Sequence, residues 1–208
     1  KIRHASGAFV VDATAVSGKT QLAVQLLADA HRARQRSAYV CFNRPLADHM
    51  ARIAPTSTDV GSFHELCVAE ARRAGHEPRF ETPGVFDELA ARWAQQATSQ
   101  PARWDLLVID ETQDFAPDWV QTLLSLLKPE GKVYLLGDSE QSLYERDSFQ
   151  LPDAVTIRCR DNFRSPRAVV DAINQLRLLA EPAQARSAFQ GEPPGFTTYA
   201  PGQLSLIN

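Results

Sequence analysis

Short apolar runs recur along the chain, each bounded by polar residues: Ala8–Ala13, Ser37–Phe42, Asp105–Asp110, Lys132–Gly137 and Ala154–Cys159. Each is rich in Val, Ile, Leu or Tyr, the pattern of a strand buried on both faces of a parallel sheet. Between and after them lie stretches with apolar positions at helical spacing: Thr20–Arg34, Pro45–Ile53, Ser62–Ala74, Val85–Gln96, Pro117–Leu127 and Pro166–Leu179. Pro45, Pro117 and Pro166 sit where a first helical turn tolerates a missing amide hydrogen. Alternation of this kind predicts an α/β fold, a mostly parallel sheet flanked by helices on both faces. The segment Gly75–Gln100 is less regular and is a candidate small insertion. After Leu179 the chain turns to Pro, Gly, Gln and Ala over Glu181–Gly195, which reads as a boundary or a poorly anchored tail.

Composition narrows the picture. With 208 residues, 44% of them hydrophobic, the chain can bury a normal core, and global disorder is excluded. The net charge of -3 argues against nucleic-acid binding by charge alone, so any such contact must be local. Cys41, Cys67 and Cys159 form an odd, widely spaced set without a CxxC pair. That favours reduced thiols in a cytoplasmic protein over disulfides or a zinc site. No run reaches the roughly 18 apolar residues of a membrane span, so no membrane partner is expected. The chain does not begin with Met, and Lys1–Ser6 lack a signal peptide's regions; a trimmed chain is expected.

The first strand runs into Ala13-Thr14-Ala15-Val16-Ser17-Gly18-Lys19-Thr20, followed by a helix pattern. A strand, a tight loop ending Gly-Lys-Thr and a helix are what phosphate binding requires. Backbone amides wrap the anion at the helix N-terminus, where unpaired N–H groups and the dipole favour negative charge. Lys19 supplies a cation to the β- and γ-phosphates, and the Thr20 hydroxyl can ligate magnesium. Ala13 and Val16 stand where Gly is usual, and both stiffen the loop. The alternative is an ordinary strand–helix turn with a surface Lys.

A second signal lies about 90 residues further on. The run Leu106-Leu107-Val108-Ile109 ends in Asp110-Glu111, placing two carboxylates at the C-terminal edge of the sheet, where α/β ligands bind. Strand residues alternate in direction, and the strand's end breaks the alternation, so the two acids can do different work. Asp110 would hold magnesium through water, and Glu111 would polarise the attacking water. Taken alone the pair reads as a solvated strand cap; coupled to Gly-Lys-Thr, both signals describe one site for ATP and Mg2+.

Asp110-Glu111-Thr112-Gln113-Asp114-Phe115 resembles the DExQDF box of superfamily 1 DNA helicases of the UvrD and Rep type. Further segments follow that family's order. Cys41-Phe42-Asn43-Arg44-Pro45-Leu46-Ala47 resembles its motif Ia, and Ser62-Phe63-His64-Glu65-Leu66-Cys67 the Thr-Phe-His segment after it. Gly137-Asp138-Ser139-Glu140-Gln141-Ser142-Leu143-Tyr144 resembles motif III, and Asn162-Phe163-Arg164-Ser165-Pro166 motif IV. The resemblance implies a RecA-like P-loop NTPase fold over residues 1–160, with motif IV and the start of an incomplete second domain, or a tail, over 161–208. It implies ATP hydrolysis coupled to movement on single-stranded DNA. It further implies that Gln141 contacts the γ-phosphate, that Arg164 clamps it, and that Gln113 links the carboxylates to the coupling machinery. Phe163 stands where the family has a Tyr stacked on adenine.

Single strands are gripped by aromatic stacking and polar backbone contacts. Phe42, Asn43 and Arg44 leave one strand end, and Ser62, Phe63 and His64 stand at a helix start on the same sheet edge. For Phe42 and Phe63, core packing and DNA contact both remain open. His64 has no partner at metal-ligand spacing and is assigned no metal. Tyr144 is a further stacking candidate, although Glu145-Arg146-Asp147 replaces the family's Arg-Trp-Arg. The chain also lacks an upstream adenine-reading Gln segment and stops before a second RecA-like domain is complete. The expectation is therefore a core that needs that second domain, binds nucleotide weakly, hydrolyses it poorly and does not unwind DNA alone. The alternative is a nucleotide-binding regulatory module that has lost helicase activity; Ala13, Val16 and the missing Trp motivate it. An unrelated P-loop kinase or transporter ATPase fits less well, since kinases lack the Gln-Asp-Phe continuation and no transporter signature is present.

Overall fold

Six strands carry the larger part of the molecule: β1 (Ala8–Ala13), β2 (Ser37–Cys41), β3 (Thr58–Ser62), β4 (Trp104–Asp110), β5 (Leu127–Gly137) and β6 (Val155–Cys159). They form one sheet in the order β3-β2-β4-β5-β1-β6, and every pairing is parallel. The structure, a computed structural model, describes residues 7–13, 18–138, 151, 153–177, 179 and 181–195. The chain divides into two compact units, Lys1–Cys159 and Arg160–Asn208.

Strand alternation sorts the core of the first unit into two layers. On one face Val11, Ala13, Tyr39, Cys41, Leu106, Val108 and Leu136 meet α1 (Lys19–Arg32) and α2 (Arg44–Ile53) through Ala23, Leu27, Ala30, Ala47 and Met50. On the other, Val40, Leu107, Ile109, Val133 and Leu135 meet α3 (Phe63–Arg73), α4 (Val85–Ala97) and α5 (Pro117–Leu124). This is the RecA-like α/β architecture, with one strand, β5, lying between the strand that enters the phosphate loop and the strand that ends in Asp110. Within the candidate insertion Gly75–Gln100, α4 sends Val85, Leu89, Ala90, Trp93 and Ala97 into this core. Burying a large apolar side chain contributes about 1.5–3 kcal/mol, so α4 is an integral layer of the fold.

Three elements depart from the sequence pattern. β3, Thr-Asp-Val-Gly-Ser, is too polar to read as a buried strand; it lies at the sheet edge and pairs with β2 alone. α5 ends at Leu124, before the expected Leu127, and β5 starts at Leu127 instead of Lys132. Leu127 pairs with Trp104 and Lys132 with Leu106, so Lys128–Gly131 form an irregularity in the ladder that periodicity could not reveal.

The edge of the sheet away from the phosphate loop is tied by polar contacts. Trp104 Nε1 donates to Asp59 at 2.8 Å, and Lys128 Nζ donates to Asp105 at 2.9 Å. The buried Glu70 accepts from Arg103 at 2.9 Å and pairs with Arg73. Burial raises the Glu70 carboxyl's pKa, but the hydrogen bonds and charges of Arg103 and Arg73 outweigh it and leave a net downward shift.

In the second unit, β7 (Asp161–Asn162) and β8 (Gln184–Ala185) pair in parallel beside α6 (Arg167–Gln175). The Asn174 side chain brackets Ala183, donating to its carbonyl and accepting from its amide, both at 2.9 Å. Arg167 Nε donates to the Ser187 carbonyl at 3.0 Å. The described part of the stretch after Leu179 is thus held by backbone pairing and side-chain hydrogen bonds, so of the two readings, a boundary or a poorly anchored tail, the loose tail does not describe it. Among the described residues no helix is long and apolar enough to cross a membrane.

Candidate nucleotide-binding site

The site assembles where β1, β4 and β5 end on the side of the sheet that carries α1. Gly18 caps α1 with φ 96°, a left-handed backbone that a residue with a Cβ rarely adopts. A Cβ there would meet nothing within 4 Å, so the demand on Gly18 is conformational and not steric. The first-turn amides beyond it lack intrahelical acceptors and form an anion-binding terminus. Lys19 Nζ donates to the Ala13 carbonyl at 2.8 Å, which holds the ammonium at the end of β1. Thr20 is exposed in the same turn. Thr14, Ala15, Val16 and Ser17 lie outside the described residues, as do Gln141 and Tyr144.

Asp110 is 2% exposed and closes β4 on the α1 face. Its Oδ2 accepts from the Tyr39 hydroxyl at 2.6 Å and its Oδ1 from the Glu111 amide at 2.9 Å. Burial raises the Asp110 pKa, and the Glu111 charge adds to this; the Tyr39 hydroxyl, the Glu111 amide and the Lys19 charge pull the other way without overcoming it. The Tyr39 hydroxyl is raised far above its usual range, first by burial and then by the Asp110 charge. Beside it, burial pushes the Cys41 thiol up to about 12.

Glu111 leaves the strand with φ 53°. A non-glycine residue in this left-handed region is uncommon and mildly strained, and it is what points the second carboxylate away from the first. Gln113, in the 3₁₀ turn Thr112–Asp114, then fixes that carboxylate: Nε2 donates to Glu111 Oε2 at 2.6 Å. Its Oε1 accepts from the Asp138 amide at 3.2 Å, which ties the acid pair to the end of β5. Thr112 Oγ1 donates to the Leu136 carbonyl at 3.1 Å. The turn lies so close to β5 that a Cβ on Gly137 would stand 2.5 Å from Thr112 Oγ1 and 3.1 Å from Gln113 Oε1. Only glycine fits there without displacing the turn.

Asp110 and Thr20 offer hard oxygen donors of the kind Mg2+ takes. Among the described residues each Asp110 oxygen accepts one hydrogen bond, which leaves a second acceptor position on each, so the residues present fit a cation that also binds water and phosphate.

The residues expected to touch DNA divide. Phe63 is fully buried, stacked on Trp119 at 4.7 Å and Trp93 at 5.5 Å, so core packing accounts for its ring. Ser62 is 4% exposed and forms a reciprocal cap with Glu65, while the Asn43 side chain caps α2 by accepting from the Leu46 amide at 2.9 Å. Arg44 is exposed and lies 3.4 Å from Glu65. Phe42 is half-buried, and His64 sits among Phe42, Phe63, Phe86 and Trp119, with ring centroids 5.1–5.9 Å away. Burial lowers the His64 pKa, opposed by the Asp87 charge. Phe163 and Arg164 belong to the second unit, on an exposed turn whose Arg164 and Ser165 amides donate to Asn162 Oδ1 at 3.2 and 2.8 Å.

Tyr39 and Trp119 were not among the residues singled out by sequence, and Gly137 and Asp138 were named only as part of the motif III segment, without a role. For Tyr39 a signal existed, since a hydroxyl in an otherwise apolar interior strand requires a buried partner.

A phosphate loop and an acid-tipped strand on one edge of a RecA-like sheet define a nucleotide-binding P-loop domain. The profile of the AAA domain family matches residues 2–147, and the chain belongs to that family. A structure of the PRRSV helicase shares 13% identity, with 85% of this chain matched to 35% of the other at a TM-score of 0.42. A crystal structure of methylated PRRSV nsp10 (helicase) shares 12% identity, with 87% matched to 36% at 0.36. The chain spans about a third of the length of these structures. No curated protein matches it.

Proposed function

We infer that this chain is the ATP-binding and hydrolysing core of a helicase or translocase of the UvrD and Rep type, acting on single-stranded DNA. The observation that carries this reading is the arrangement at the end of β4. Asp110 is held on the α1 face and Glu111 is turned away from it by a left-handed backbone, with Gln113 bridging Glu111 to Asp138. Lys19 and the first turn of α1 bind the β- and γ-phosphates. Asp110 and Thr20 would hold Mg2+, which when bound would supply positive charge beside the phosphates. Glu111 orients and polarises the attacking water. Gln113 couples its position to β5, the strand that leads into Gln141. Half-buried Phe42 and the ring cluster around His64 supply stacking surface for bases.

The test is saturable binding and turnover of Mg-ATP with and without single-stranded DNA. Lys19→Ala should abolish binding. Glu111→Gln should keep binding and lower turnover about 10²–10⁴-fold. Binding without turnover, in a full-length protein and with DNA present, would favour the regulatory module instead.

A further inference from the structure

We propose that Tyr39 is a positioning residue for magnesium: its hydroxyl holds Asp110 in the one orientation from which the carboxylate can meet the cation's water shell. The inference rests on the nucleotide-binding reading above and goes beyond it by assigning a residue outside the phosphate loop and the acid pair.

Tyr39 stands at the centre of β2, directly opposite Val108 on β4. Strand alternation puts Tyr39, Val108 and Asp110 on the same face, so Asp110 is the diagonal neighbour of Tyr39, within reach of a long aromatic side chain. The ring is fully buried among Leu106, Val108, Met50 and other side chains of the α1–α2 layer. It therefore cannot swing, and its hydroxyl stands 2.6 Å from Asp110 Oδ2. The Glu111 amide holds Oδ1 from the other side. A carboxylate terminal torsion is broad and two-fold when unrestrained; two donors, one on β2 and one just past the end of β4, reduce it to one setting. Outer partners that orient a metal-binding carboxylate contribute on the order of 10–100-fold to metal affinity. Phenylalanine at position 39 would fill nearly the same volume in this layer, so packing alone does not explain the hydroxyl.

The experiment uses the 208-residue chain and a fluorescent ADP analogue, titrated with Mg2+ and, separately, bound in EDTA. Tyr39→Phe should raise the half-saturating Mg2+ concentration about 10–100-fold, leaving affinity in EDTA within about twofold of wild type. An unchanged Mg2+ requirement, with Lys19→Ala still losing the analogue, would overturn the proposal and leave the nucleotide site standing. Retained binding in Lys19→Ala would remove the site and the proposal together. Since Tyr39→Phe leaves a buried carboxylate oxygen without its donor, a second pair guards against loss of fold. Asp110→Asn is compared with Tyr39→Phe/Asp110→Asn, in which both partners change. Equal Mg2+ requirements in these two show that the hydroxyl acts through the carboxylate. A further tenfold loss in the double variant would sink the idea.

Discussion

Gly137→Ala probes the support of the acid pair without touching a charged group. The added Cβ would lie 2.5 Å from Thr112 Oγ1, nearer than such atoms approach, and 3.1 Å from Gln113 Oε1. Thr112 cannot simply rotate away, because its Oγ1 donates to the Leu136 carbonyl on the strand that carries the new methyl group. Insertion of a methyl group into a closed contact costs about 1–3 kcal/mol. At roughly 3 °C per kcal/mol for a domain of this size, the melting temperature should fall by about 3–9 °C. Relief of the clash by moving the turn would also pull Gln113 from Glu111, so turnover should fall more than stability alone explains. Removing the obstructing oxygen is the internal control. Thr112→Ala alone loses one hydrogen bond, about 0.5–1.5 kcal/mol. In the double variant the shortest contact is gone and only the 3.1 Å approach to Gln113 Oε1 is left, so the two costs should be sub-additive by about 1 kcal/mol or more. Thermal melts of the four proteins decide the matter. A Gly137→Ala protein within about 0.5 kcal/mol of wild type, or strictly additive costs, would refute the reasoning.

Three further outcomes are expected. Phe63→Ala should destabilise by about 3–5 kcal/mol in chemical denaturation, because the ring is fully buried against Trp119 and Trp93; a loss below 1 kcal/mol would return the ring to the surface. Glu70 has a folded pKa below its unfolded value, so its stabilisation is present at neutral pH, above the unfolded pKa, and is lost as pH falls through the folded one. Glu70→Gln should cost about 1–3 kcal/mol at pH 7 and flatten the acid limb of a melting-temperature profile; an unchanged limb would disprove the linkage. Cys41 and Cys67 are buried with thiols pushed up to about 12, so a thiol reagent at pH 8 should label Cys159 alone in the native protein and all three in denaturant.

The sequence made one side of this architecture readable and hid the other. β1 was delimited to the residue, because a strand lying between two neighbours is apolar over most of its length, here broken only by Asp12. β3 could not be read that way: an edge strand with one neighbour does not need such a run, and Thr58–Ser62 is mostly polar. The acid pair was legible from its place after Ile109, and so was the need for Glu111 to depart from strand alternation. The size of that departure, a left-handed Glu held by Gln113, depends on Asp138 from a distant strand and has no local signature. For Phe63, apolarity at a helix start served two readings equally; only the rings of Trp93 and Trp119, brought in by α4 and α5, decide for the core.

The position of β1 has a consequence for how the chain is made. Ala8–Ala13 is synthesised before both of its ladder partners, Val133–Gly137 on one side and Val155–Cys159 on the other. While more than a hundred residues are synthesised, this apolar strand has no native edge to join. β2, β3 and β4 can pair among themselves as soon as Asp110 is out. The nascent chain thus builds one flank of the sheet first and joins β1 to it late, when β5 and then β6 arrive. Such long-range pairing is slow and exposes unpaired edges. The anion-binding turn is therefore among the last parts of the domain to acquire its shape.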